Sequence, residues 1–587
     1  MALTRASHRL AAAAGGVLFK AVGDFHRAWP RLLATDVVYK MFTLVVLTPL
    51  VGLALELFMS ASGSSVLADQ DILLFVLSPI GMAALVVVGA VSLAIITVEQ
   101  ACLMVIGFGE TRGLHVRAID ALAFGVRHAW SVVMLALRIF VRVLLIVLPF
   151  AAAGGLVYMS LLGEHDINFY LAERPPVFLF AAGVVAALVA VMAVLVIRRL
   201  LHWSFALPLL LFEGCSPAEA LTTSNERTEG HQLIVGIALV AWGAASALVA
   251  AVPLAVVATM GRWVVPKFAA SMTMLVIVMG GFLVLWAFLN LVVTLINVAM
   301  FALLAVRLYD TLGSSRGAQL SGGAISERMT ADDDRRLSIK WALAGLALAA
   351  VLAAVAGYVF MNSVRFDDDV IVIAHRGAAG SAPENTLASV ALAVEQGADM
   401  VEIDVQESAD GRVVVVHDSD LMRVGGAPVK IRDATYDELL EIDVGSWFGP
   451  EFSGQRVPTL EQVLEVCRGR SRVDVELKYY GHNERLEERV TEIVERMEMQ
   501  DAVVLMSLVS DLVQSMKALR PDWTVGLLTA KAVGDLTTSK ADFLAVHVGI
   551  ASSGFFISCA GAAPPAPSHS CARASSGRGR RRTSRAE

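Results

Sequence analysis

IVIAHRGAAGSAPENTLASVALAVEQGADMVEIDVQESADGRVVVVHD, residues 371–418, alternates short β-rich apolar runs with loops, and His, Arg, Glu and Asp stand at the run ends. Parallel α/β folds carry their chemistry at such strand ends. Continuing downstream, the pattern predicts strands near 371–375, 399–405, 413–417, 472–478, 502–507, 524–529 and 543–548. Helices are expected near 384–397, 435–442, 459–468, 484–498 and 509–519. Repeated strand-then-helix units imply parallel strands joined by right-handed crossovers, hence a TIM-type (β/α) barrel.

Upstream the chain changes character. Of 587 residues 56% are apolar and 17% charged, and the mean hydropathy is +0.67, which implies an integral membrane protein in large part. Apolar runs of crossing length, about 20 residues, occur near 41–59, 72–106, 143–162, 176–197, 233–259, 271–306 and 341–361. About seven spans are therefore expected, the first retained instead of cleaved as a signal peptide. With the N-terminus inside, the predicted inner connections hold 20 Lys and Arg and the outer ones 3. This bias orients the chain with residue 362 onward outside the cytoplasm. Ser216-Pro217-Ala218-Glu219 is a capping box with Pro at the first helical position, a structural signal. No intramembrane carboxylate or His series marks an ion path. The five cysteines show neither disulfide nor zinc spacing, the net charge of -7 selects no partner, and no nucleic acid is expected.

The polar residues of 371–478 carry the chemistry. Glu402 and Asp404 stand two apart on one strand and so share a face; Glu476 and Lys478 repeat the arrangement on a later strand. Three carboxylates with no Cys nearby suit a hard divalent cation, Mg2+ or Ca2+, better than Zn2+. A lone His is more often structural, but His375 and His417 on neighbouring strands offer an acid and a base near neutral pH. Arg376 beside Gly377 suits bidentate phosphate contact. Together these groups point to phosphate-ester cleavage.

Six ordered motifs then stand out: HRG at 375–377, PENT at 383–386, GADMVEIDV at 397–405, DGRVVVVHD at 410–418, VPTLEQVL at 457–464 and VELK at 475–478. In this order they resemble the signature of the glycerophosphodiester phosphodiesterase family, and the upstream half resembles the membrane domain fused ahead of it in some bacterial members. The resemblance implies hydrolysis of glycerophosphodiesters to glycerol 3-phosphate and an alcohol. It implies that Glu402, Asp404 and Glu476 hold the cation and that His375 and His417 are the acid and base, in an order left open. It further implies that Arg376 and Lys478 contact phosphate and that Glu384 and Asn385 order the rim loop, with a role toward metal or substrate. The expected partners are the lipid bilayer and the diester substrate.

The expected organisation is a polytopic helical membrane domain at 1–361, a linker at 362–370, an incomplete barrel at 371–556 and a disordered basic tail at 557–587. The 186 residues of the third segment fall short of the roughly 250 of a full barrel. The Ala/Pro/Ser/Arg-rich tail is expected to be the product of a shifted reading frame, or else a lipid-binding basic segment. The competing functional reading is a catalytically silent membrane protein whose remnant barrel binds lipid headgroups or a partner.

Overall fold

The computed structural model describes residues 2–63, 66–268, 271–313, most of 336–348, 351, 355, 371–480, 484–534, 536 and 539–546. The chain divides into two compact units, one of Met1–Phe58, Met82–Ala151 and Leu188–Val364, the other of Met59–Gly81, Ala152–Ala187 and Arg365–Glu587.

The first unit is helical. Six helices among the described residues are long and apolar enough to cross a membrane: Ala12–Ala61, Pro79–Arg112, Ala118–Leu161, Pro176–Glu213, Gln232–Phe268 and Ile277–Leu312. They match the first six expected spans. The seventh, 341–361, lies largely outside the described residues, as do the 362–370 linker and the 557–587 tail. Each contains an apolar stretch long enough to face lipid and other helices. Phe108, Phe124, Leu209, Phe212 and Tyr309 form part of its core, with the Phe108 and Phe212 rings stacked at 4.1 Å. The predicted capping box forms at Ser216, opening the helix Pro217–Thr228.

Several charged residues of this unit form ion pairs. Asp24 binds Arg27 and Arg307, Arg31 binds Glu110, and Lys40 joins Asp36 to Glu99. Glu99 lies within an expected span as a single carboxylate paired with Lys40. Its ammonium partner comes from the first helix, which neutralises the carboxylate where an unpaired one would be costly.

The second unit is α/β. Strand β1 (Val66–Ala68) comes from the connection after the first long helix. The remaining strands are β2 (Ile373–Ala374), β3 (Met400–Glu407), β4 (Val413–Val415), β5 (Arg472–Leu477), β6 (Val503–Ser507), β7 (Val525–Thr529), β8 (Ala532–Gly534) and β9 (Phe543–Val546). The main sheet runs β2-β3-β5-β6-β7-β9, all parallel. Helices cover it through faces spaced three and four residues apart, such as Leu486, Val490, Ile493 and Val494, or Leu460, Val463, Leu464 and Cys467. All seven expected strands and all five expected helices are present, most of them shorter at their ends, while β3 runs two residues past its expected end to Glu407.

One direction differs from expectation. β4 pairs antiparallel with β3, Val405 opposite Val415, so 400–415 is a hairpin and not a further parallel unit. The Asp410-Gly411 turn makes this possible: Gly411 has φ 78°, a backbone that glycine adopts without strain. The hairpin returns the chain to the level of Asp404, whose carbonyl accepts from Val416 N at 2.9 Å. His417 therefore reaches the strand ends from above. Residues 421–457 then form a small excursion around Leu421, Val424, Ile431, Leu439, Val444 and Val457. β8 pairs antiparallel with β1, a contact the sequence pattern did not suggest.

Candidate active site

The strand register assembles the acids. In the parallel β3–β5 pair, Glu402 stands opposite Asp474 and Asp404 opposite Glu476, and the two-residue period turns all four to one face. Carboxylate oxygens of Glu402, Asp404 and Glu476 lie within 4.8 Å of one another, and all three residues are buried. Glu402 Oε1 accepts no hydrogen bond among the described residues, an orphaned acceptor of the kind a cation satisfies. An all-oxygen, all-carboxylate donor set of this spacing fits Mg2+ or Ca2+. The residues present can therefore hold a divalent cation.

The first loop locks onto this cluster. Arg376 N donates to Glu402 Oε2 at 2.7 Å, and Gly377 N to the Glu402 carbonyl at 3.1 Å. Both residues have positive φ, 54° and 74°. A Cβ added at Gly377 would lie 2.7 Å from the Ser389 backbone carbon, so this close approach requires glycine. Asn385, also left-handed at φ 56°, donates to Asp404 Oδ2 at 2.7 Å and accepts from Asp404 N at 3.2 Å. Thr386 follows at once and caps the helix Leu387–Glu395, a bond worth about 1 kcal/mol.

Two cations face the carboxylates. Lys478 Nζ is 2.9 Å from Asp404 Oδ1 and bonds to Glu476, and Arg376 Nε is 3.4 Å from Asp404 Oδ2. Burial pushes the Glu402 carboxyl well above its ordinary value, and Asp404 and Glu476 add to the rise. Burial alone would also raise Asp404, but Lys478, His417 and Arg376 outweigh it and hold that carboxyl below its usual range. Glu476 is raised by burial, with Lys478 opposing. Neighbouring acids thus carry opposite shifts, a common mark of a functional site.

The two histidines stand differently. His375 is exposed at the rim, its Nε2 3.9 Å from Glu402 Oε2. His417 is mostly enclosed, with Nδ1 2.7 Å from Asp418 Oδ1, so Asp418 fixes the ring and leaves Nε2 for proton transfer. Asp418 is itself held by Arg423 Nε at 2.6 Å. Arg423 also reaches Glu384, which binds Arg376 as well, at 2.6 and 2.9 Å respectively. Glu384 therefore ties two guanidiniums together and stays outside the three-carboxylate group.

All nine sequence-predicted residues thus gather at one end of the sheet. Sequence reasoning assigned nothing to Asp418, Arg423, Asp474 or Tyr480. Tyr480 donates to the His417 carbonyl at 2.6 Å; it continues the alternate-residue series 474, 476, 478 and could have been found that way. Asp474, pushed to about 8 by burial with Glu476 adding, lies one pleat below the cluster on the same series. Arg423 sits in the irregular excursion and leaves no periodic signal.

Comparison with known proteins gives two matches within the chain. Residues 375–553 match the family described as glycerophosphoryl diester phosphodiesterase, and residues 18–343 match its described membrane domain. YhdW of Bacillus subtilis (strain 168) is 37% identical over 169 residues, which is 29% of this chain and 70% of the relative. A glycerophosphodiester phosphodiesterase of Caldanaerobacter subterraneus is 34% identical over 164 residues, 27% of this chain and 66% of its own length. The chain thus spans about two thirds of these relatives. Among solved structures, an Oleispira antarctica phosphodiesterase in complex with the product sn-glycerol-3-phosphate is 35% identical, with a TM-score of 0.29 over 30% of this chain and 74% of that one.

Proposed function

This chain belongs to the glycerophosphoryl diester phosphodiesterase family, and on that premise we propose that it hydrolyses glycerophosphodiesters to glycerol 3-phosphate and an alcohol at the 371–480 site. The observation that carries this reading is the convergence of Glu402, Asp404 and Glu476 within 4.8 Å, beside two histidines and two cationic side chains. Glu402, Asp404 and Glu476 hold the cation in this reading. When bound, it neutralises phosphate charge and polarises the P–O bonds. Arg376 and Lys478 then face the remaining phosphate oxygens, and the Arg376 fork matches two of them at once.

His417 serves as the acid. Asp418 holds Nδ1 at 2.7 Å, which turns Nε2 toward the site, so a protonated His417 can deliver the Nε2 proton to the departing alcohol oxygen as the P–O bond breaks. His375, exposed beside Glu402, serves as the base that takes the proton from the water that attacks phosphorus. Glu384 and Asn385 orient the loop that carries Arg376.

The chain is a multi-pass membrane protein. An extracytoplasmic catalytic domain is supported by one relationship within the second unit: residues 60–71 and 163–175, two of the three connections that the charge bias assigns outside, share a compact unit with the barrel strands. The test of function is release of glycerol 3-phosphate from glycerophosphocholine by the full chain. Activity that resists EDTA, or that survives both Glu402→Ala and His417→Ala, sinks the proposal.

A further inference from the structure

Residues 163–175 connect the helices Ala118–Leu161 and Pro176–His202, yet they fold against the site described above. Asp166 is the hinge of this contact. Its Oδ1 accepts from Asn168 N at 2.9 Å, opening the short helix Ile167–Glu173, and its Oδ2 accepts from Ser419 N at 3.1 Å. Its own N–H donates to Asp420 Oδ2 at 3.0 Å. The loop is anchored by an apolar cluster of Leu162, Phe169, Tyr170 and Ala181, against which Met422 packs.

Two features of this segment bear on the chemistry. Asn168 Nδ2 donates to Asp418 Oδ1 at 3.2 Å, the same oxygen that holds His417 Nδ1. Above it lies a cavity of about 390 Å³, walled on one side by Glu164, His165 and Asp166 and on the other by Lys430, Lys478 and Tyr480. Lys478 lines the cavity and also pairs with Asp404 and Glu476, so the cavity borders the carboxylate cluster. Its volume falls in the range of small-molecule sites, about 300–1,000 Å³. Leu162 and Ile167 also line the cavity, but its carboxylate, ammonium and phenol groups give a small hydroxylated or charged alcohol both donors and acceptors.

Given the hydrolysis proposed above, we propose that residues 163–170 form the wall of the subsite for the diester's leaving alcohol, and that Asn168 is a positioning residue for His417 acting through Asp418. The diester's leaving alcohol is then recognised jointly by the strand ends and by a connection between two long apolar helices.

Two measurements on the full chain in detergent test this. In Asn168→Ala, kcat for glycerophosphocholine should fall about tenfold or more with KM within about twofold, and the pH–rate profile should shift, because His417 loses part of its orientation. An unchanged profile and kcat would overturn the positioning role. Separately, the Glu164→Cys variant is alkylated by a maleimide, and modification at position 164 is quantified by peptide mass spectrometry. Glycerophosphocholine, glycerophosphoethanolamine or glycerophosphoglycerol, in large excess, should slow that alkylation at least threefold. Protection by none of the three overturns the subsite. This second readout does not depend on turnover: a wild-type chain that releases no glycerol 3-phosphate sinks the proposed reaction, while the alkylation still decides the subsite.

Discussion

Lys478 Nζ lies 2.9 Å from Asp404 Oδ1 and also bonds to Glu476, so one buried ammonium bridges two of the three clustered carboxylates. Removing one partner of a buried ion pair typically costs about 3–5 kcal/mol, because the other charges stay behind unpaired. Lys478→Met should therefore lower the melting temperature strongly in EDTA. Millimolar Mg2+ or Ca2+ should restore much of the loss, since a cation supplies the missing positive charge. Thermal unfolding in the two buffers checks this; an equal loss in both would show that no cation reaches the cluster.

Glu402 is the acid whose removal should separate stability from function. Its carboxyl is raised by burial and by Asp404 and Glu476, so Gln mimics its protonated form and can still accept from Arg376 N. Glu402→Gln should leave the metal-free protein at least as stable as the parent. It should also abolish cation-dependent stabilisation, which for an intact site reaches about 2.7 kcal/mol at a hundredfold excess over Kd. A Glu402→Gln protein whose melting temperature still climbs with Mg2+ would remove Glu402 from the ligand set.

Much of this site was readable because strand geometry is periodic. Glu402 and Asp404, and the series Asp474, Glu476, Lys478, had to share faces once their runs were strands. Helix faces such as Leu486, Val490, Ile493 and Val494 were equally legible. Periodicity carries no direction, however, so the β4 reversal escaped although Asp410-Gly411 is a hairpin signal. The contact of Asn168 with Asp418 spans 250 residues. Nothing local to either residue encodes such a contact, and the same holds for the pairing of β1 with β8.

Asn385 combines a backbone and a side-chain role that two substitutions can separate. Its φ of 56° suits Asn and Gly, and its amide both donates to and accepts from Asp404. Asn385→Gly should lose only the amide bonds and lower kcat as Asp404 loosens. Asn385→Ala should lose the same bonds and pay a further 1–2 kcal/mol or so for left-handed backbone in a residue with a Cβ. Paired melting curves and kinetics test this; equal stability of the two variants would place the whole effect in the side chain.

Asp418 predicts the acid limb of stability. Burial by itself would raise its carboxyl, but His417 and Arg423 overcome that and hold it below the ordinary 3.8. A group with a lowered folded value stabilises the fold fully above its unfolded value and loses that contribution as pH falls through the folded one. The stabilisation from Asp418 should thus be complete above about 3.8 and vanish at more acid pH. Asp418→Asn removes it at every pH: the variant should be less stable than the parent at pH 6, and the gap should close as the pH is taken below 3.8. At pH 6 the variant should also be slower, since His417 loses the carboxylate that holds Nδ1 at 2.7 Å. Urea unfolding at pH 6 and at successively lower pH checks the sign; a gap that widens toward acid would show that Asp418 is not held ionised by its partners.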